Sequence, residues 1–167
     1  MSGKATDSSS PAFREQRIGE YVLSEDPARL DAVAVHAYLT RSYWSPGIPL
    51  GVVERALAGS ICIGAYRQTG EQVGLVRVIS DYATYAYVCD VYVLETDRAK
   101  GLSKAMLAMA LSHPRLQGMR TWNLRTRDAH KLYEQFGFNV IENPEGYMVL
   151  RFPDVYKTGS ESSHRPA

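Results

Sequence analysis

The pattern of apolar and polar positions changes period twice along the chain. Ile18 to Leu23 alternates weakly and predicts a first strand. Ser24-Glu25-Asp26-Pro27 is a turn and helix-start signal. Leu30, Val33, Ala34, Ala37 and Tyr38 then recur at helical spacing, an apolar stripe on one face. Two prolines and a glycine in Tyr43–Pro49 (YWSPGIP) break that helix, and Val52 to Ala58 predicts a second. Strand spacing follows. Ser60–Tyr66 and Gln72–Ser80 are rich in β-formers and flank a hairpin signal, Gln68-Thr69-Gly70-Glu71. Tyr85–Leu94 (YAYVCDVYVL) is nearly continuous in β-formers, as suits a strand covered on both faces. From Gly101 the period is helical again, with Leu102, Ala105, Met106, Met109 and Ala110 on one face and Pro114 beyond its end. Thr121–Thr126 predicts a strand and Asp128–Phe136 a helix stopped by Gly137. Phe138–Ile141 and Tyr147–Phe152 predict closing strands.

The predicted order is β-α-α-β-β-β-α-β-α-β-β. Antiparallel meanders leading into a βαβ crossover argue for an α+β fold, a mixed sheet flanked by helices.

Composition narrows the function without naming it. The 167 residues favour one domain, expected over residues 17–156. Residues 1–16 and 157–167 are polar and are expected to be disordered tails. Nineteen Lys+Arg against eighteen Asp+Glu leave a formal charge of +1, which argues against nucleic-acid or membrane-surface partners. Any positive site must be local. Two cysteines, Cys62 and Cys89, are too few for a disulfide scaffold or a four-cysteine zinc site; both sit in apolar runs, which points to buried thiols, and no metal site is expected. No run approaches the ~20 apolar residues of a membrane helix, and the N-terminus lacks an apolar leader, so a cytoplasmic location is expected.

The most informative segment is Val91–Leu107. A buried strand runs into Arg98-Ala99-Lys100-Gly101-Leu102-Ser103-Lys104, which opens an amphipathic helix. Small residues at 101 and 103 let a ligand approach the backbone. The first N–H groups of the helix have no intrahelical partner and carry the positive end of its dipole. Three cations in seven residues add to that. The segment predicts an anion site suited to phosphate or pyrophosphate, although it is neither a Walker loop nor a dinucleotide fingerprint.

Arg98-x-x-Gly101-x-Ser103, following Val91-Tyr92-Val93, resembles the signature of the GNAT superfamily of acyl-CoA-dependent N-acetyltransferases. That signature has Arg or Gln, two residues, Gly, one residue, then Gly or Ala; Ser103 is the departure. Asp128-Ala129-His130-Lys131-Leu132-Tyr133-Glu134-Gln135-Phe136-Gly137-Phe138 is similar to the family's late helix, with Asp128 near the usual Asn. The likeness spans roughly residues 20–150.

The resemblance implies a mostly antiparallel twisted sheet with about four helices. It also implies a V-shaped split between the strand of Val91–Val93 and the strand of Thr121–Thr126. Acetyl-CoA is the implied cofactor. Its pantetheine would pair with backbone of Val91, Tyr92 and Val93, and its pyrophosphate would sit on Ala99, Lys100, Gly101, Leu102, Ser103 and Lys104. Arg98 and Asp128 complete the implied cofactor set. Tyr133 holds the position of the family's tyrosine general acid. Asp90, a carboxylate in an apolar strand, is either a base for the amine or a structural acceptor. Asp81, Glu95 and His36 are weaker candidates for the base. Tyr38, Tyr43, Trp44, Tyr85 and Tyr87, with Tyr82 nearby, are candidates for the acceptor pocket, where aromatic faces could hold a cationic amine. The implied partner is a small-molecule or peptide amine, with a homodimer left open. A coenzyme-binding module without catalysis is the alternative function.

Overall fold

A computed structural model describes residues 13–157. The chain forms two compact units, one of residues up to Leu30 with Ser60–Leu124, the other of Asp31–Gly59 with residues from Arg125 onward.

The first unit is a six-stranded sheet in sequence order: β1 (Glu15–Ile18), β2 (Tyr21–Ser24), β3 (Ile61–Arg67), β4 (Gln72–Ser80), β5 (Tyr85–Val93) and β6 (Thr121–Leu124). Neighbours are antiparallel except β5 and β6, which are parallel across the crossover through α3 (Leu102–Leu111). The mixed sheet with α3 packed on it, in a chain that also holds three further α-helices among the described residues, matches the expected α+β class.

The first expected strand is in fact two. Gly19, at φ +54°, turns the chain between β1 and β2, a conformation the weak alternation did not reveal. Ordered structure thus begins earlier than residue 17. Arg14 explains why: its guanidinium donates to Met109 O (2.8 Å) and Ser112 O at the C-terminal end of α3, and pairs with Glu25 at 2.9 Å. A cation on the last carbonyls of a helix is favourable.

Six of the seven residues of β3 are buried, so the core lies along the middle of the sheet, and α3 packs on β3, β4 and β5 through Leu102, Met106, Leu107 and Ala110. Tyr66, 1% exposed, lays its ring over Gly64, where an added Cβ would collide with the Tyr66 hydroxyl. Gly64→Ala is expected to overpack this site and cost about 1–3 kcal/mol in urea unfolding.

The β4–β5 turn is fixed by Asp81, whose carboxylate accepts from the N–H groups of Ala83, Thr84 and Tyr85 and from the Thr84 hydroxyl. Those bonds, that of Thr84 first, hold its carboxyl well below the usual carboxylate range. Asp81 is therefore occupied as a turn cap.

The second unit holds α1 (Ala32–Leu39), α2 (Leu50–Ala58) and α4 (His130–Glu134), with α1 packed on α2. The expected closing strands do not form: among the described residues no strand follows β6. Met148, Val149 and Leu150 are 98%, 75% and 83% exposed. Their β-forming character finds no ladder to join, and propensity without pairing does not make a strand. Among the described residues no helix is long and apolar enough to cross a membrane.

Candidate functional site

In the first unit the implied cofactor residues line up along β5 and into α3. The parallel register with β6 runs from Tyr85↔Thr121 to Val88↔Leu124 and stops, while β5 continues to Val93. Beyond Val88, among the described residues, β5 has a strand on its β4 side only. This is the sheet opening expected beside Val91, Tyr92 and Val93.

A bulge lies at the same point. Between Val76 and Val78 the register steps two residues on β4 but three on β5, so Cys89–Asp90 carries the extra residue opposite Arg77. Asp90 is 4% exposed, and its Oδ2 accepts from Arg77 Nε at 2.6 Å. Arg77 also donates to the Ser60 hydroxyl at 3.0 Å. Each is the single charge in an apolar strand, and each satisfies the other. Burial pushes the neighbouring thiols up, Cys62 to about 12 and Cys89 to about 11, which keeps both protonated.

After β5 the chain makes a short 3₁₀ turn, Glu95–Asp97, then Arg98 to Gly101. Arg98 Nε donates back to Val93 O at 3.1 Å, closing the turn on the end of β5. Ala99 and Gly101 both have left-handed backbone, φ +62° and +78°. Gly101 is the N-cap of α3, with no side chain bonded to the helix's first N–H groups and open space where a Cβ would stand. Leu102, buried, plugs the helix start into the core, Ser103 is half-buried and Lys104 is exposed. Lys100 differs from expectation: its ammonium donates to the Tyr21 hydroxyl and to Glu20.

Tyr85 and Tyr87 lie on the more exposed face of β5, and the Tyr85 hydroxyl accepts from Asn123 at 3.0 Å. Tyr82, at φ +61° in the turn, carries the guanidinium of Arg115 on its ring at 3.8 Å.

In the second unit, Tyr133 is buried on α4. The motif around it has a local cause. Gly137, at φ +85°, lets its N–H reach Glu134 O while Phe138 N–H reaches Tyr133 O. This Schellman arrangement brings Phe138 back onto the Tyr133 ring, centroids 6.0 Å apart and edge-on. Burial, with Tyr43 and Asp128 adding, pushes the phenol up to about 12. Asp128 lies in the preceding loop, exposed and paired with Arg127 at 3.4 Å, while the Thr126 hydroxyl accepts from the Ala129 N–H.

Tyr38, Tyr43 and Trp44 form one aromatic group, with Trp44 centroids 6.2 Å from Tyr38 and 5.0 Å from Tyr43. Arg127, which no sequence motif marks, covers the Tyr43 ring at 3.9 Å, and its N–H donates to the Tyr43 hydroxyl. The Tyr43 face expected to receive a substrate cation already holds one. Among the described residues no three His, Cys, Asp or Glu side chains are grouped to hold a metal.

Residues 58–140, which contain β3 to β6, α3, α4 and the Gly137–Phe138 step, match the acetyltransferase (GNAT) domain profile. A Gibberella zeae protein assigned as an acetyltransferase is 35% identical over 166 residues, covering 86% of this chain and 93% of its own. The crystal structure of a Xanthomonas campestris pv. campestris protein assigned to the GNAT family superposes with a TM-score of 0.80 at 40% identity, over 85% of this chain and all of the other. An aminoglycoside N-acetyltransferase solved with CoA shares the fold at 16% identity, with a TM-score of 0.53 over 72% of this chain and 86% of its own.

Proposed function

The chain belongs to the GNAT acetyltransferase family, and from that premise we propose that it transfers acetyl from acetyl-CoA to a primary amine of a small molecule or protein, by direct attack in a ternary complex. The observation that carries this is the start of α3: left-handed Gly101, N–H groups without a side-chain cap, and a β5 that outruns β6 just before it. A helix N-terminus of this kind favours an anion, and a strand edge that no neighbouring strand covers among the described residues favours an amide-bearing chain. The coenzyme complex of the aminoglycoside relative supports the same cofactor.

When bound, acetyl-CoA supplies a thioester with an electrophilic carbonyl and a thiolate leaving group. Val91 and Val93 would hold the pantetheine by main-chain bonds, and the N–H groups from Ala99 to Lys104 the pyrophosphate. Transfer to the amine, present as the free base, would form a C–N bond and break the C–S bond. The amine's surplus proton goes to water. Tyr133 supplies the proton the departing sulfur takes up and is reprotonated from solvent. Burial keeps the phenol protonated, so its hydroxyl is available as a hydrogen-bond donor to the sulfur.

Of the two roles expected of Asp90, the buried pair with Arg77 supports the structural one. It fixes the bulge next to Val91. Tyr38, Tyr43 and Trp44 in the second unit, and Tyr85 and Tyr87 on β5 in the first, are each proposed as acceptor-binding residues. The expected setting is the cytoplasm.

Gly101→Glu tests the carrying observation. A carboxylate beside the α3 N-terminus opposes a diphosphate and occupies the open space, so acetyl-CoA affinity is expected to fall about 10–100-fold by calorimetry. Unchanged affinity would remove the anion site from the account.

A further inference from the structure

Outside the groups assigned above, one cluster of charge is buried against the coenzyme loop. Asp97, 2% exposed, ends the 3₁₀ turn that precedes Arg98. Four donors reach its two carboxylate oxygens: the Tyr21 hydroxyl at 2.8 Å, Arg67 Nε at 3.1 Å, Arg67 Nη2 at 2.7 Å and the Thr96 hydroxyl at 2.7 Å. Arg67, ending β3, is itself held by Glu71 and by Thr96. These bonds, that of Arg67 first, keep the Asp97 carboxyl well below the usual carboxylate range.

The Tyr21 hydroxyl has a second partner. It accepts from Lys100, whose ammonium also lies over the Tyr21 ring at 4.9 Å and meets Glu20 at 3.3 Å. Tyr21 thus ties down both sides of the Arg98–Ala99 step, Asp97 before it and Lys100 after it. Between those ties stands Ala99 in left-handed backbone, followed by left-handed Gly101. An alanine leaves that region unless its surroundings over-determine it. Here the over-determining bonds come from β2 and β3.

We propose that Asp97, Arg67 and Tyr21 are positioning residues for the coenzyme. They hold Arg98–Gly101 in the shape that leaves the α3 N–H groups facing an anion, and so set acetyl-CoA affinity rather than the rate of acetyl transfer. The proposal rests on the assignment of this loop as the coenzyme site. It also recasts Lys100, which acts through the loop's shape.

The test is acetyl-CoA titration calorimetry on the wild type, Tyr21→Phe, Asp97→Asn and Gly64→Ala, with thermal unfolding and steady-state kinetics of each. Tyr21→Phe is expected to raise the acetyl-CoA Kd and KM about 3–10-fold, with kcat at saturation within about twofold. Asp97→Asn is expected to raise them more than about tenfold. Gly64→Ala, whose added methyl meets the Tyr66 ring and no group bonded to Asp97 or Lys100, is expected to lower Tm and leave Kd unchanged. Tyr21→Phe and Asp97→Asn with a lowered Tm but wild-type Kd would overturn the proposal, as would a Kd in Gly64→Ala that rises in step with its Tm loss. Absence of acetyl-CoA binding by the wild type would overturn the coenzyme assignment itself, and this proposal with it.

Discussion

Tyr133→Phe is expected to lower kcat for acetyl transfer by about 10²–10⁴-fold, the range ascribed to a positioned general acid. The ring of phenylalanine keeps the edge contact with Phe138 at 6.0 Å, and the Schellman bonds at Gly137 and Phe138 are main-chain, so α4 and its turn stay intact. Thermal unfolding should therefore shift little, and the acetyl-CoA KM should stay near that of the wild type. The pH profile gives a second readout. The phenol is pushed up to about 12, so in the wild type Tyr133 remains protonated through the whole neutral and mildly alkaline range. The rate should rise with pH as the amine loses its proton, with no falling limb from Tyr133 until the pH nears about 12. Wild-type kcat in Tyr133→Phe would return Tyr133 to the role of a core aromatic.

Arg77→Leu is expected to cost about 3–5 kcal/mol of stability, because it removes the guanidinium that pairs with the buried Asp90 carboxylate. Asp90 is 4% exposed and takes its 2.6 Å bond from Arg77. Replacing both partners removes the buried carboxylate as well, so Arg77→Leu with Asp90→Leu should recover most of the loss. Urea unfolding of the two single variants and the double measures the coupling directly. The double variant also separates the two roles considered for Asp90. If the carboxylate only secures the bulge, the double variant keeps its pH profile and loses at most a modest part of kcat. If it removes the amine's proton, the double variant loses the limb of the profile that reports that step.

Much of the fold was legible because the sequence changes period where the structure changes element. The edges Gln72–Ser80 for β4 and Tyr85–Val93 for β5 fall within a residue of the apolar runs that predict them. The proposed anion site has a local signal in the sequence: small residues and cations follow directly on a buried strand. What the sequence hid depends on distant partners. Arg77 and Asp90 each stand alone among apolar neighbours, and only the register across the bulge joins them. Two lone charges in adjacent buried strands are a signal that they pair, since neither could be buried otherwise. Asp97 gave no such signal. No sequence motif marks it, and its burial depends on Arg67 and Tyr21, 30 and 76 residues away. Arg14 and the β1–β2 hairpin were hidden likewise, in a segment whose composition is polar but whose bonds reach α3. The opposite error arose at Tyr147–Phe152, where strand-forming residues find no neighbouring ladder.

The central claim is acetyl transfer to an amine, and the measurement closest to it is release of the free thiol of coenzyme A from acetyl-CoA across a panel of small-molecule and peptide amines. The account predicts release that depends on one class of amine, yields the acetylated amine in equal amount, and falls in Tyr133→Phe. Tight acetyl-CoA binding with no amine-dependent thiol release would contradict it and leave a coenzyme-binding module without catalysis.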